Sequence, residues 1–188
     1  MDSSTPANKQ VAKLVEQAVE TLVAGKVDRA SARCDLRLAL RNQGCWDLSS
    51  NDDWLNDVLD LNSSLRSIWR QYEEGLHSAI LDQWPAQELK GYGPPEALRD
   101  WTALWRSAGG TIFGDRMIAL KDDPVWYTIS DFGFPFPPYA TGSKMRVRDV
   151  DRDSAMKLGL IDRDRRVSLK HISRPELVLL DLARYEEV

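Results

Sequence analysis

From Asn8 onward apolar residues recur at helical spacing, with Val11, Leu14, Val15, Ala18, Val19 and Leu22 on one face and Gly25 where the helix can stop. Asp28 can cap a second helix running to about residue 42, with Val27, Ala30, Cys34 and Leu38 facing one way and Gly44 ending it. A third helix begins near Ser50 or Asn51 and extends toward Leu81. Its apolar positions Trp54, Val58, Leu61, Leu65, Ile68, Tyr72 and Leu76 alternate steps of four and three, a spacing that packs helix on helix. The heptads are too few for a dimerising coiled coil, so an intramolecular bundle is the expectation.

At Trp84-Pro85-Ala86-Gln87-Glu88-Leu89 the pattern changes, and Gly91, Gly93, Pro94 and Pro95 make a loop. Beyond it Asp100 to Ala108 reads as a short helix closed by Gly109-Gly110. Thr111-Ile112-Phe113 and Met117-Ile118-Ala119-Leu120 flank Gly114-Asp115-Arg116 as a hairpin. Asp122-Asp123-Pro124 has the acidic residues and proline of a helix start. Phe134-Pro135-Phe136-Pro137-Pro138-Tyr139 lacks ladder donors and reads as an ordered, aromatic-anchored loop. Met145 to Val150 alternates as a strand, Asp151 caps a helix through Leu158, and Gly159 ends it. The tail is expected to add a strand over 166–170 and a final apolar helix, with Ser173 and Glu176 at capping-box spacing around Pro175.

The predicted fold is therefore α+β and predominantly helical: a bundle-like helical region over 1–90, a small mixed α/β block over 91–161, and a C-terminal strand and helix over 162–188. That last helix is too apolar to be left in water. Leu177, Leu180 and Tyr185 are its candidate docking residues, on this domain or on a partner.

Charge changes this picture locally. Net charge is only −4, which argues against a generally basic nucleic-acid binder. Yet Arg29, Arg33, Arg37 and Arg41 repeat every four residues and, drifting about 40° per step, form one stripe. Two readings stand: a solvated face interleaved with Asp28 and Asp35, or a surface for phosphates or an acidic partner. Arg146 and Arg148 form a second basic spot. The longest apolar stretches fall short of the roughly 20 residues that cross a bilayer, and Met1-Asp2-Ser3-Ser4-Thr5-Pro6 carries no signal-peptide pattern, so neither secretion nor membrane insertion is expected. Cys34 and Cys45 make no disulfide framework and suit a reducing cytoplasm.

Catalytic and metal chemistry finds little footing. Asp149, Asp151 and Asp153 alternate like a calcium loop, but Ser154 stands where glycine is needed and Leu160 where a bidentate glutamate is needed. Ser154-Ala155-Met156-Lys157 fits SxxK without its companion motifs. His77 and His171 are isolated, and a zinc site from Cys34, Cys45 and His77 lacks a fourth ligand. Asp122 and Asp123 before proline suit a helix N-terminus better than acid–base work. Trp101, Trp105 and Trp126, near Arg99, Arg106 and Arg116, suit core packing better than base stacking. No catalytic residue, metal or cofactor is predicted.

One ordered series remains. Asp100-Trp101, Trp105, Ala108-Gly109-Gly110, the run from Arg116 to Trp126, Phe136-Pro137-Pro138-Tyr139, Arg146-Val147-Arg148-Asp149-Val150 and Leu158-Gly159-Leu160 resemble the core block of phage Mu F-like minor head proteins, and Trp84-Pro85-Ala86 before it fits as well. The resemblance covers roughly 57–161. Many members carry an Asn-Cys-Arg-Cys-like element after the proline pair, where this chain has Thr141-Gly142-Ser143-Lys144-Met145, so no role of those cysteines is carried over. The resemblance implies a non-enzymatic, low-copy protein of the tailed-phage head. It would associate with portal, capsid or other virion proteins, sometimes near DNA packaging or ejection, in the virion and in the host cytoplasm during assembly. Only residues 162–188 follow Ile161, too few for the toxin that some relatives fuse to this block. The rival expectation is a phage DNA-binding or regulatory protein that contacts phosphates through the arginine stripe and the positive stretch from Lys144 to Lys170.

Overall fold

A computed structural model describes residues 6–92 and 99–185. The fold is α+β and dominated by helix: α1 (Pro6–Val23), α2 (Arg29–Asn42), α3 (Trp46–Ser50), α4 (Asp52–Glu74), α5 (Ser78–Gln83), β1 (Ala86–Gly91), α6 (Trp101–Ser107), β2 (Ile112–Phe113), β3 (Arg116–Leu120), α7 (Val125–Thr128), β4 (Met145–Val150), α8 (Arg152–Lys157) and a 3-10 turn (Leu182–Tyr185). The chain divides into two compact units. One holds the described residues up to Ser67 together with those from Arg174 on; the other holds those of Ile68–Ser173.

In the first unit Asp28 caps α2 as expected, accepting from the Ser31 N–H at 2.9 Å. The inward face of α2 is not the expected one. Ala32, Leu36 and Leu40 are buried, whereas Ala30 and Cys34 are exposed and Leu38 is 61% exposed. Both rows repeat every four residues, so periodicity alone could not choose between them. The arginine row, next to the buried one, decides the roll of the helix by pairing with α4. The long third helix is also broken, since α4 ends at Glu74 and α5 restarts at Ser78 beyond Gly75.

The expected C-terminal helix does not form, and residues 162–181 contain neither helix nor strand. From Arg174 the tail is an irregular strap whose backbone is satisfied by side chains of α4. Asn62 donates to the Val178 carbonyl at 2.9 Å and accepts from the Val178 N–H at 2.8 Å, as a neighbouring strand would. The Trp54 indole donates to the Leu180 carbonyl at 2.9 Å. Arg174 joins Arg66 on Glu16 and Glu20 of α1, two cations on two anions, with Arg66 itself buried. These side-chain partners replace the i→i−4 bonds that a helix over the same residues would make.

The second unit is built on a four-stranded antiparallel sheet of order β2-β3-β1-β4. Its central strand was not visible in sequence: Ala86–Gly91 shows no clean alternation, yet it pairs with β3 from Ala86↔Leu120 to Leu89↔Met117 and with β4 from Ala86↔Val150 to Gly91↔Met145. The β2–β3 hairpin turns at Gly114-Asp115, where Gly114 takes the positive φ that a two-residue loop requires. One sheet face, with Leu89, Ala119 and Met145, packs on Trp101, Trp105, Trp126, Ile129 and Tyr139. Trp105 meets Trp126 edge-on at 5.0 Å, and Trp126 stacks on Tyr139 at 6.2 Å. The other face, with Ala86, Ile118, Leu120 and Val150, packs on Leu81, Ala155, Ile161 and Val167. The proline segment is a buried, ordered loop as expected, and Asp100 and Asp151 cap α6 and α8.

Two substitutions test this packing. A Cβ on Gly110 would lie 2.4 Å from the Trp105 Nε1, so Gly110→Ala should destabilise the protein by about 1–3 kcal/mol in urea unfolding. Asn62→Leu leaves both Val178 backbone groups without their partner and should bring early proteolytic cleavage within residues 174–181, with residues 100–160 still protected.

Candidate functional site

Three arginines of the stripe have partners on α4, while Arg29 and Arg41 remain exposed. Asp52, Asn56 and Asp60 repeat every four residues on α4 and meet the α2 row in antiparallel order. Arg29 forks onto Asp60 through Nε at 2.6 Å and Nη2 at 2.5 Å, Arg33 donates to Asn56 at 3.3 Å, and Arg37 pairs with Asp52. Arg41 lies past the end of this row and is exposed. Each exposed pair contributes only about 0.2–1 kcal/mol, so the row orients α2 more than it stabilises it. The matching acidic spacing on the third predicted helix was the signal that sequence reading passed over.

The predicted docking residues at the tail are likewise engaged within the first unit. Leu180 is buried, Leu177 is half-buried, and the Tyr185 hydroxyl donates to Asp57 at 2.8 Å. Leu180 and Tyr185 are thereby held at α4.

Arg146 and Arg148 fare differently. Strand alternation puts Ala86, Glu88 and Lys90 on one sheet face, and the register brings Arg148 opposite Glu88 and Arg146 opposite Lys90. Arg116 on β3 approaches from the other side. Its Nη2 and that of Arg148 donate to the same Glu88 Oε2, at 2.8 and 2.6 Å. Glu88 is only 5% exposed, and these two guanidiniums, Arg116 foremost, hold its carboxyl below its ordinary range despite burial. Arg146, Arg148 and Lys90 are exposed. Sequence reading found the two β4 arginines and missed Lys90, Arg116 and Glu88, because only the pairing of three strands assembles them.

The second unit also contains a cleft of about 350 Å³ walled by Tyr72, Ile80, Phe136 and Val147, at the lower end of the range for ligand pockets. On it lie Gln87, 9% exposed, and a Lys121–Asp149 ion pair at 2.8 Å. The ring of Tyr72 rests against Phe136 at 5.1 Å. Gln71 and Glu74 also line the cleft, so its polar groups can bind and orient a ligand; the lining holds no histidine, cysteine, serine or threonine. Among the described residues no cluster of histidine, cysteine and carboxylate side chains could hold a metal ion, and no helix is long and apolar enough to cross a membrane. Cys34 is exposed, Cys45 is half-buried, and His171 pairs with Glu73.

No family model, curated protein or solved structure matches the chain.

The Glu88 cluster makes stability depend on pH in a defined direction. A carboxyl held below its unfolded value near 4.5 contributes stability above that pH and loses it as the pH falls further. Glu88→Gln should cost about 1–3 kcal/mol at pH 7, and the gap from wild type should shrink in unfolding curves taken progressively below pH 4.5.

Proposed function

We propose that this protein is a non-enzymatic structural protein of a tailed bacteriophage, a minor head or portal-associated component acting in head morphogenesis through protein contacts. The observation that supports this reading is where the residues of the Mu F-like series lie. Trp101, Trp105, Trp126 and Tyr139 belong to one buried cluster, Gly110 lies against the Trp105 ring, and the run from Arg146 to Val150 is a strand of the same sheet.

Residues shared for catalysis converge on an accessible reacting centre, whereas these are the interior of a small scaffold. Asp122 and Asp123 fit the same account. Asp123 accepts from the Val125 N–H at the start of α7, and Asp122 pairs with Arg165. Their carboxylates have structural partners.

The test is the composition of phage particles. Gradient-purified heads and proheads from a prophage-induced lysate of the source cell should contain this chain at low copy when analysed by mass spectrometry. Its absence from both, while the chain accumulates free in the lysate, would sink the proposal.

A further inference from the structure

At the end of the sheet face that carries Glu88, cations outnumber the carboxylates that answer them. Lys90 stands directly opposite Arg146 in the β1–β4 register, and like charges so placed repel. Both are exposed, and among the described residues neither has an ion-pair partner. Arg116 and Arg148 each give one N–H to a single Glu88 oxygen, although a guanidinium carries five. Among the described residues the exposed Asp115 of the hairpin turn also acts on Arg116, whose side chain is partly exposed. Donors are left over for an incoming anion.

Just beyond β1 the Tyr92 N–H donates to the Lys144 carbonyl at 3.2 Å, which brings another exposed cation to the same end of the sheet. Tyr92 itself is 52% exposed. Cations alone fit any polyanion. An exposed ring among them favours single-stranded nucleic acid, whose phosphates need the cations and whose unstacked bases can cover the ring. An acidic peptide offers no such stacking face, and the bases of a duplex are already stacked on each other.

We propose that this end of the sheet binds single-stranded nucleic acid, with backbone phosphates on Lys90, Arg146 and Arg148 and a base against Tyr92. The surface is distinct from the arginine row of α2, where Arg29, Arg33 and Arg37 have partners within the first unit. It also goes beyond the protein contacts proposed above, and either reading can fail without the other.

Fluorescence anisotropy with the full chain and a labelled oligothymidylate of about 20 nucleotides tests it, since this length exceeds the roughly 4–16 nucleotides of a typical site. Binding should be measurable at about 50 mM salt and weaken linearly on a log–log plot as salt rises. Lys90→Gln combined with Arg146→Gln should flatten that slope by about 1.4, or roughly 0.7 per lost phosphate contact. Tyr92→Ala should weaken binding about tenfold with little change in slope. Arg41→Gln, at the exposed end of the α2 row, should change nothing. Three results would overturn the proposal: no binding at about 50 mM salt, unchanged affinity and slope in a double variant that melts like wild type, or equal or tighter binding of a polyglutamate peptide or a duplex.

Discussion

The organisation of the second unit depends on the pairing of β1 along both edges. A central strand must be satisfied on two sides, so its placement fixes β3 and β4 and, through them, which side chains reach each core. Within six residues it sends Leu89 toward the tryptophan cluster and Glu88 to the opposite face. A slip of one residue would exchange them and drive a carboxylate into the aromatic core without a partner. The Arg116–Glu88–Arg148 cluster therefore favours the observed register: the carboxylate finds both guanidiniums only there. Its burial is tolerable because two cations answer it.

Polar groups have a comparable role in the first unit. Apolar burial by Val15, Leu36, Leu40, Leu55 and Leu59 supplies the stabilisation but is indifferent to small rotations of a helix about its own axis. The Arg29–Asp60, Arg33–Asn56 and Arg37–Asp52 contacts are not indifferent, since a turn of 100° would separate all three. Asn62 works in the same way on the strap. One amide inside an apolar stripe holds the backbone of an irregular segment by the two bonds a strand would use.

These constraints bear on function because they separate scaffold from surface. Among the residues most distinctive in sequence, Trp101, Trp105, Trp126 and the proline loop are interior, and Gly110 lies against the Trp105 ring. Lys90, Arg146 and the remaining guanidinium donors of Arg116 and Arg148 gather instead at the cationic end of one sheet face.

The sequence by itself determined the elements whose signals are local. Asp28, Asp100 and Asp151 cap helices because a short carboxylate reaches the N–H three residues on, and Gly114 turns a hairpin because only glycine takes that φ freely. The helix-rich α+β class followed from the same periodicities. Tertiary structure decided whatever depends on a distant partner. Residues 86–91 become a strand because two other strands supply the ladder, and the tail stays irregular because Asn62 and Trp54 satisfy its backbone. The inward face of α2 is set by a polar row, Asp52, Asn56 and Asp60, between 15 and 31 positions away. The candidate site was half legible for the same reason. Arg146 and Arg148 are neighbours on one strand, while Lys90, Arg116 and Glu88 join them only through pairing between strands, which no local pattern encodes.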